Sequence, residues 1–179
     1  MSTLLTTPNG EIIIRNATPV DAAAVRLLRL ESLSTYPESF AADMDMTAAQ
    51  DAQVWSQRIA EYIQTSSSAI LLAFAGDSLI GMAGIGRGHW PKLHHFATLW
   101  GVYVKPEWQG LHIGEAIVIG CVNWALENQM KVVTLGVNVS NKFAIRCYSR
   151  CGFKEYGTQP RVIFYNGIYH DQLLMAVLL

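Results

Sequence analysis

The stretch that decides the fold is VYVKPEWQGLHIGEAIV, residues 102–118. Its first residues are β-branched or aromatic, as is typical of a strand, and Pro106 ends that strand. Residues 111–128 show helical periodicity instead. One face of that helix carries apolar or small residues at positions 113, 117, 120, 121 and 124. The sequence therefore predicts a strand that turns into a helix through a short loop containing Gly110.

The start of such a helix is suited to binding an anion. The first N–H groups of a helix have no partner within it, and this end carries a partial positive charge. Glycine lets a phosphate approach the backbone closely, and Gly110 and Gly114 bracket the first turn. We interpret residues 110–115 as a pyrophosphate cradle. A purely structural alternative is that Gly110 makes a tight turn and Gly114 lets the helix pack on a sheet.

The rest of the chain predicts one domain over residues 1–179. The predicted element order is β-α-α-β-β-β-α-β-α-β-β. Strands are expected near residues 11–15, 69–75, 78–86, 96–104 and 131–139, with two more after residue 153. Helices are expected from a Thr18 cap to about residue 34 and near residues 48–63, 111–128 and 141–150. This order predicts the α/β (α+β) class, with helices flanking a mixed, mostly antiparallel central sheet of about seven strands.

Composition excludes several kinds of partner. The formal net charge is −1, so no broad basic field is available for nucleic acid or an acidic membrane surface. The three cysteines, at positions 121, 147 and 151, have no disulfide-framework spacing and indicate reduced thiols.

The N-terminal MSTLLTTPNGE lacks the features of a signal peptide, and the run AILLAFA is too short to span a membrane. We expect a cytoplasmic protein.

The hexapeptide QGLHIG resembles the Gln/Arg-x-x-Gly-x-Gly/Ala motif of the GCN5-related N-acetyltransferase (GNAT) superfamily. VYVKPEWQG is similar to that family's fourth strand and turn, and VNVSNKFAIRCYSRCGFKEYG to its fifth strand, next helix and sixth strand. The resemblance implies the GNAT acyl-CoA N-acyltransferase fold, with acetyl-CoA as cosubstrate. One position departs, because His112 stands where the family has glycine. Its backbone N–H would still be available to a phosphate.

The same resemblance implies roles for particular residues. The backbone of Val102, Tyr103 and Val104 would hold the acetyl carbonyl and the pantetheine arm. The diphosphate would bind at the motif, comprising Gln109, Gly110, Leu111, His112, Ile113, Gly114 and Glu115. Asn141 would contact the cofactor, and Tyr148 would protonate the departing thiolate as general acid. The structural alternatives are core packing for the two valines and Tyr148, and a helix cap for Asn141.

A general base is not apparent from the sequence. The strands FATLWGVYV and KVVTLGVNV contain no carboxylate, although an amine must lose a proton before it attacks. Candidates are a water chain, His94, His95, Glu31 and Glu38. His89 lies in the same loop as the two other histidines, but matched metal-ligand spacing is missing, so we predict no metal site.

These observations predict an acetyl-CoA-dependent N-acetyltransferase that acts on a primary amine of a small molecule or peptide. We expect direct attack by the amine, because Cys121 lies on the buried stripe of its helix and is unsuited as a nucleophile. One alternative is an acyl-CoA-binding sensor or scaffold with little transferase activity. Another is a regulatory domain that binds a different nucleotide, although the chain lacks the Lys-Ser/Thr of a P-loop.

The last segment, VIFYNGIYHDQLLMAVLL, predicts a hairpin around the Asn166-Gly167 turn. It is unusually apolar for a hairpin at the edge of a sheet, where exposed strands invite aggregation. We therefore expect a homodimer in which this region or a neighbouring strand is covered.

Overall fold

A computed structural model describes residues 2–179, in which eight strands form one sheet. The strands are β1 (Ser2–Thr7), β2 (Gly10–Asn16), β3 (Ser68–Ala75), β4 (Ser78–Arg87), β5 (Phe96–Val104), β6 (Val132–Asn138), β7 (Lys154–Tyr165) and β8 (Ile168–Leu178). The helices are α1 (Ala22–Thr35), α2 (Met44–Ala48), α3 (Ala52–Thr65), α4 (Ile113–Glu127) and α5 (Lys142–Arg150). The spatial strand order is β1-β2-β3-β4-β5-β6-β8-β7. The predicted class and the flanking helices are confirmed.

Two elements were not predicted. Strand β1 pairs antiparallel with β2 and raises the strand count from about seven to eight. Most of its side chains are exposed, so it lacks the buried alternation that marks a strand in a sequence. Helix α2 is one short turn in a predicted loop, and the Asp43 side chain caps it by accepting from the Met46 N–H at 2.8 Å.

The sheet carries a hydrophobic core on each face. Side chains alternate along a strand, so the central strands contribute to both cores. Leu71 packs with the α4 residues Ile117 and Val118, whereas the adjacent Leu72 packs on the opposite face with Val25 of α1. Helices α4 and α5 therefore cover one face, and α1 and α3 cover the other.

The predicted Thr18–Asp21 capping box is present, although it caps the 3-10 turn that leads into α1 and not α1 itself. The Thr18 N–H donates to the Asp21 carboxylate at 2.7 Å, and Arg15 donates to the same carboxylate at 2.8 Å. Chiefly because of the hydrogen bond from Arg15, the pKa of Asp21 is lowered to about 2. A short 3-10 turn, Pro19–Asp21, precedes the α-helix proper.

One strand pairing sets up the functional region. Strands β5 and β6 are parallel, and they pair only at Phe96–Thr98 with Val132–Thr134, whereas the other neighbouring strands are antiparallel. Beyond Thr98 and Thr134 the two strands separate and leave a gap between them. Within residues 2–179, no helix combines the length and apolar character needed to cross a membrane.

Candidate functional site

The cradle lies where β5 gives way to α4. A 3-10 turn, Pro106–Trp108, ends the strand, and the next residues bring the backbone round with positive φ at Gly110 (81°) and His112 (60°). None of the six N–H groups of residues 110–115 bonds to an acceptor within residues 2–179. The first N–H of this segment to do so is that of Ala116, which donates to the His112 carbonyl at 3.0 Å. The predicted helix start is thus a run of free donors at a positive helix end.

The two glycines of the cradle have different structural requirements. Gly110 needs its freedom, because its φ of 81° is one that side chains with a Cβ disfavour. Gly114 has an ordinary helical backbone, and a Cβ there would meet Cys147 Sγ at 3.7 Å, which is a normal contact. Packing therefore does not demand glycine at position 114.

Charged side chains surround the cradle. His112 Nδ1 lies 3.0 Å from Glu115 Oε2, and Arg150 Nη2 lies 2.6 Å from Glu115 Oε1. Burial raises the pKa of Glu115, but hydrogen bonds from His112 and Arg150 outweigh it, so the net shift is downward. Glu115 therefore stays ionised, and its bond to Arg150 ties the start of α4 to the end of α5.

Three other motif residues direct their side chains away from the cradle opening. Gln109 Nε2 donates to the Val104 carbonyl at 2.9 Å and to the Tyr36 hydroxyl at 3.3 Å, so it holds the end of β5 in place. Ile113 is buried in the core, and Leu111 is packed against it. These two residues offer a ligand their backbone N–H groups.

A bulge at Gly101 changes which way the backbone of β5 points. The register with β4 shifts here, and Gly101 has a φ of 63°. Before the bulge, the His95 carbonyl accepts from Lys131 on the β6 side; after it, the Lys105 N–H donates to Ile80 of β4. In a regular strand, residues 95 and 105 would direct their backbone groups toward the same neighbouring strand, because both are odd-numbered. The extra residue at the bulge therefore reverses the side to which the backbone groups point.

The bulge determines which way the three predicted backbone contacts, Val102, Tyr103 and Val104, face. Val102 and Val104 direct their backbone groups into the gap, and Tyr103 directs its own toward β4. The Val104 carbonyl is already bonded to Gln109, so a ligand in the gap would find the Val104 N–H and not the carbonyl. Tyr103 contributes its side chain to the α1 face, where its hydroxyl donates to Glu31 at 3.0 Å.

Helix α5 places the other two predicted residues. Asn141 caps the helix, because its side-chain oxygen accepts from the Ala144 N–H at 3.0 Å. Tyr148 is buried, with its ring 6.1 Å from that of Phe153, and its hydroxyl has no hydrogen-bond partner within residues 2–179. Burial raises the pKa of Tyr148 above its ordinary value, so the phenol stays protonated. A phenol of ordinary pKa would match the departing thiol closely in acidity. The raised pKa of Tyr148 makes this match less close.

The candidate bases are spread apart. His95 precedes Gly101 by six residues, which is about 20 Å along a strand, and His94 is farther still. Glu38 lies in the 3-10 turn Pro37–Ser39, whose backbone is held by the Asn138 side chain. Glu31 is the candidate that contacts β5, through Tyr103 and through Lys105 Nζ at 3.2 Å.

Two side chains near the gap were missed. Asn138 is buried at the end of β6, four residues beyond the last β5–β6 pair, and contacts His170 Nδ1 at 3.4 Å. Arg29 of α1 lies beside the Gly101 bulge. A signal for Arg29 exists in the sequence, because it occupies the apolar stripe with Val25 and Leu33 at i−4 and i+4.

Comparison with known proteins identifies the family. The profile described as "Acetyltransferase (GNAT) family" matches residues 28–153. The chain belongs to the GNAT family. It is therefore an N-acetyltransferase, as the QGLHIG motif predicted. Within residues 2–179, no three His, Cys, Asp or Glu side chains converge to hold a metal ion.

Related GNAT proteins cover nearly the whole chain. The L-amino acid N-acetyltransferase AaaT of Escherichia coli (strain K12) is 26% identical over 93% of this chain and 98% of its own length. The aminoglycoside N(6')-acetyltransferase type 1 of Stenotrophomonas maltophilia is 27% identical over 86% and 91%. A GNAT acetyltransferase from Streptococcus pneumoniae superposes with a TM-score of 0.85 at 22% identity, covering 94% and 99% of the two chains. A Salmonella typhimurium protein solved with its cofactor acetyl-CoA gives 0.78 at 21%, covering 93% of both. These superpositions confirm the fold.

The left-handed backbone at position 112 generates a stability prediction. We expect His112→Gly to be more stable than His112→Ala by about 1 kcal/mol, because both remove the imidazole but only alanine keeps a Cβ at positive φ. Urea denaturation at neutral pH measures the difference. Asn123, exposed within α4, is the matched control: there the alanine variant should be more stable than the glycine variant by a similar amount. Equal stabilities for the two His112 variants would contradict the cradle geometry.

Proposed function

We propose that this GNAT protein transfers an acetyl group from acetyl-CoA to a primary amine of a small molecule or peptide. The observation that carries the proposal is the row of six unbonded N–H groups in the cradle, directly continuous with the open edge of β5. A diphosphate needs donors at a positive helix end, and an amide-bearing pantetheine arm needs a free strand edge. Both lie here on one continuous stretch of chain.

The residues would divide the work by position. The backbone N–H groups of residues 110–115 hold the diphosphate. The backbone of Val102 and the Val104 N–H face the gap and hold the pantetheine arm. Acetyl-CoA, when bound, supplies the acetyl thioester. The Val102 N–H, placed at the carbonyl oxygen of the thioester, would stabilise the oxyanion that develops on this oxygen during attack.

We propose direct attack by the amine without an acyl-enzyme. Cys121 is fully buried, and its burial raises the pKa of the thiol, so it cannot serve as the nucleophile. Tyr148, protonated at neutral pH, would donate a proton to the departing thiolate. Deprotonation of the amine falls to water or to Glu31, whose carboxylate reaches β5.

The acid role of Tyr148 predicts a kinetic effect. Tyr148→Phe should lower kcat about 100-fold, because general acid catalysis is worth at least that much, while the Kd of acetyl-CoA changes little. Release of free thiol, with any acceptor found in a panel of amines, measures turnover, and calorimetry measures binding. Tyr156→Phe, exposed on β7, is the matched control and should leave both unchanged. Full turnover by Tyr148→Phe at saturating acceptor would remove Tyr148 from this role.

We also propose that the protein is cytoplasmic and forms a homodimer. Strand β7 is at one edge of the sheet, and the turn between β7 and β8 exposes apolar side chains, which we call the hairpin tip. The hairpin tip consists of Phe164, Tyr165, Ile168 and Tyr169. An apolar edge of this kind favours coverage by a second copy.

Sedimentation tests the dimer. At micromolar concentration we expect the wild type to sediment as a dimer, and we expect a variant with Ile168→Lys and Tyr169→Lys to be monomeric, because buried charge opposes association. Trp90→Lys, an equally exposed apolar residue in a loop, is the control and should remain dimeric. A wild-type monomer at this concentration would rule out the proposed dimer.

A further inference from the structure

Arg29 is partly buried, and one nitrogen of its guanidinium is buried without a hydrogen-bond partner in the part of the chain that the structure describes. Its Nη1 atom is shut off from solvent and has no hydrogen-bond partner within residues 2–179. Its guanidinium carbon lies 4.7 Å from the centre of the Phe40 ring. On the other side, Nη1 lies 3.5 Å from the point that a Cβ on Gly101 would occupy. The cation is therefore held between the 36–40 segment and the bulge of β5.

No carboxylate within residues 2–179 forms a salt bridge with this cation. Glu31, two residues along α1, is engaged by Lys105 and the Tyr103 hydroxyl. Burial lowers the pKa of Arg29 to about 10, with no neighbouring acid to restore it, so the group is still cationic at neutral pH. An unpaired buried charge opposes folding, whereas an apolar side chain on this stripe would not. Arg29 is thus an unfavourable charge in the free protein, and pairing with an anionic ligand group would remove this cost.

The position of Arg29 relates it to the reacting amine. Gly101 immediately precedes Val102, whose backbone faces the gap proposed to hold the thioester. Glycine at the bulge leaves no side chain between the guanidinium and this backbone. When an amine attacks a thioester in this gap, the acceptor atoms next to the amine nitrogen would lie beside Arg29. A guanidinium fork binds a carboxylate through two parallel hydrogen bonds, and of the Arg29 nitrogens it is Nη1 that is shut off from solvent, so Nε and Nη2 would form this fork.

An apolar groove of about 290 Å³ begins beside Arg29. Phe40, which stacks on the guanidinium, and Leu33, one turn farther along α1, both line it. Its other apolar lining includes Pro37, Met44, Val162 and Ile163, with Phe164 and Tyr165 of the hairpin tip at its margin, so the groove would border the proposed dimer contact. Asp43 also lines the groove, but its carboxylate is engaged in capping α2. The groove therefore suits an apolar side chain.

We propose that the acceptor is an α-amino acid with an apolar side chain, whose carboxylate is bound by Arg29 and whose side chain occupies this groove. The inference rests on the proposed acetyl transfer and names its substrate class. The amine nitrogen forms a bond to the acetyl carbon, the carbon–sulfur bond breaks, the amine loses a proton and the thiolate gains one. The products are an N-acetyl amino acid and coenzyme A. Polycationic amines and peptide N-termini lack the α-carboxylate that would neutralise Arg29.

The test compares amino acids with their carboxamides. Wild-type protein and acetyl-CoA are assayed by thiol release with L-leucine, L-methionine and L-phenylalanine, and with the three matching amides. We expect kcat/KM for the acids to exceed that for the amides about 10- to 100-fold, the range for hydrogen bonds to a charged group. Arg29→Gln should erase this preference, chiefly by raising KM for the acids, with the amides nearly unaffected. Arg29→Lys should restore part of it.

Arg58→Gln is the matched control, because it removes the same charge from α3, where Arg58 stacks on Trp55. It should keep the preference for acids. A thermal melt should show Arg29→Gln at least as stable as the wild type, since an unpaired buried charge is removed. A fall in Arg29→Gln turnover that is equal for acids and amides would overturn the inference, because Arg29 would then act on the thioester.

A wider acceptor panel separates this inference from the proposed function. The panel includes an aminoglycoside and a peptide with an N-terminal alanine. Turnover of either one, with no turnover of the amino acids, would overturn the inference and leave acetyl transfer intact. Failure of wild-type protein to bind acetyl-CoA in calorimetry would overturn both. Binding of acetyl-CoA together with an acid preference that depends on Arg29 would support both.

Discussion

The functional region depends on the early end of the pairing between β5 and β6. Three residue pairs, ending at Thr98 and Thr134, hold the strands together before they separate. Because the gap opens there, the edge of β5 has backbone groups free for a ligand, and the bulge at Gly101 selects Val102 and Val104 to provide them. The chain then enters the cradle directly. In the proposed function, this one local loss of pairing provides both the groove for an extended arm and the position of its phosphate site.

The site leaves polar groups unsatisfied, and the rest of the fold provides the stability that allows this. The six cradle N–H groups and the Arg29 guanidinium all lack protein partners within residues 2–179. Cores on both faces of the sheet hold these groups in place, with α4 anchored on one side and α1 on the other. Unsatisfied groups of this kind are unfavourable in the free protein and favourable once a complementary ligand binds. The proposed function explains this arrangement as a preorganised binding site.

Local sequence signals predicted the fold well and the site in part. The cradle, the α4 stripe and the Thr18 cap follow from short-range patterns, and they are present as expected. The bulge at Gly101 and the end of β5–β6 pairing depend on partners far away in the sequence, so periodicity could not reveal them. Arg29 interrupts the apolar stripe of α1, so the sequence marks its position, but its contacts with Phe40 and Gly101 depend on residues outside its helix. The positive φ at His112 explains why glycine is the usual residue there, although the sequence alone showed only the departure.

The central claim is that the N–H groups of residues 110–115 bind the diphosphate of acetyl-CoA. It is tested most directly by titrating ¹⁵N-labelled protein with acetyl-CoA and with acetyl-pantetheine, which lacks the diphosphate. We expect large amide shifts at residues 110–115 with acetyl-CoA but not with acetyl-pantetheine, whereas Val102 and Val104 should shift with both compounds. Binding of acetyl-CoA that leaves the amides of residues 110–115 unshifted would contradict it.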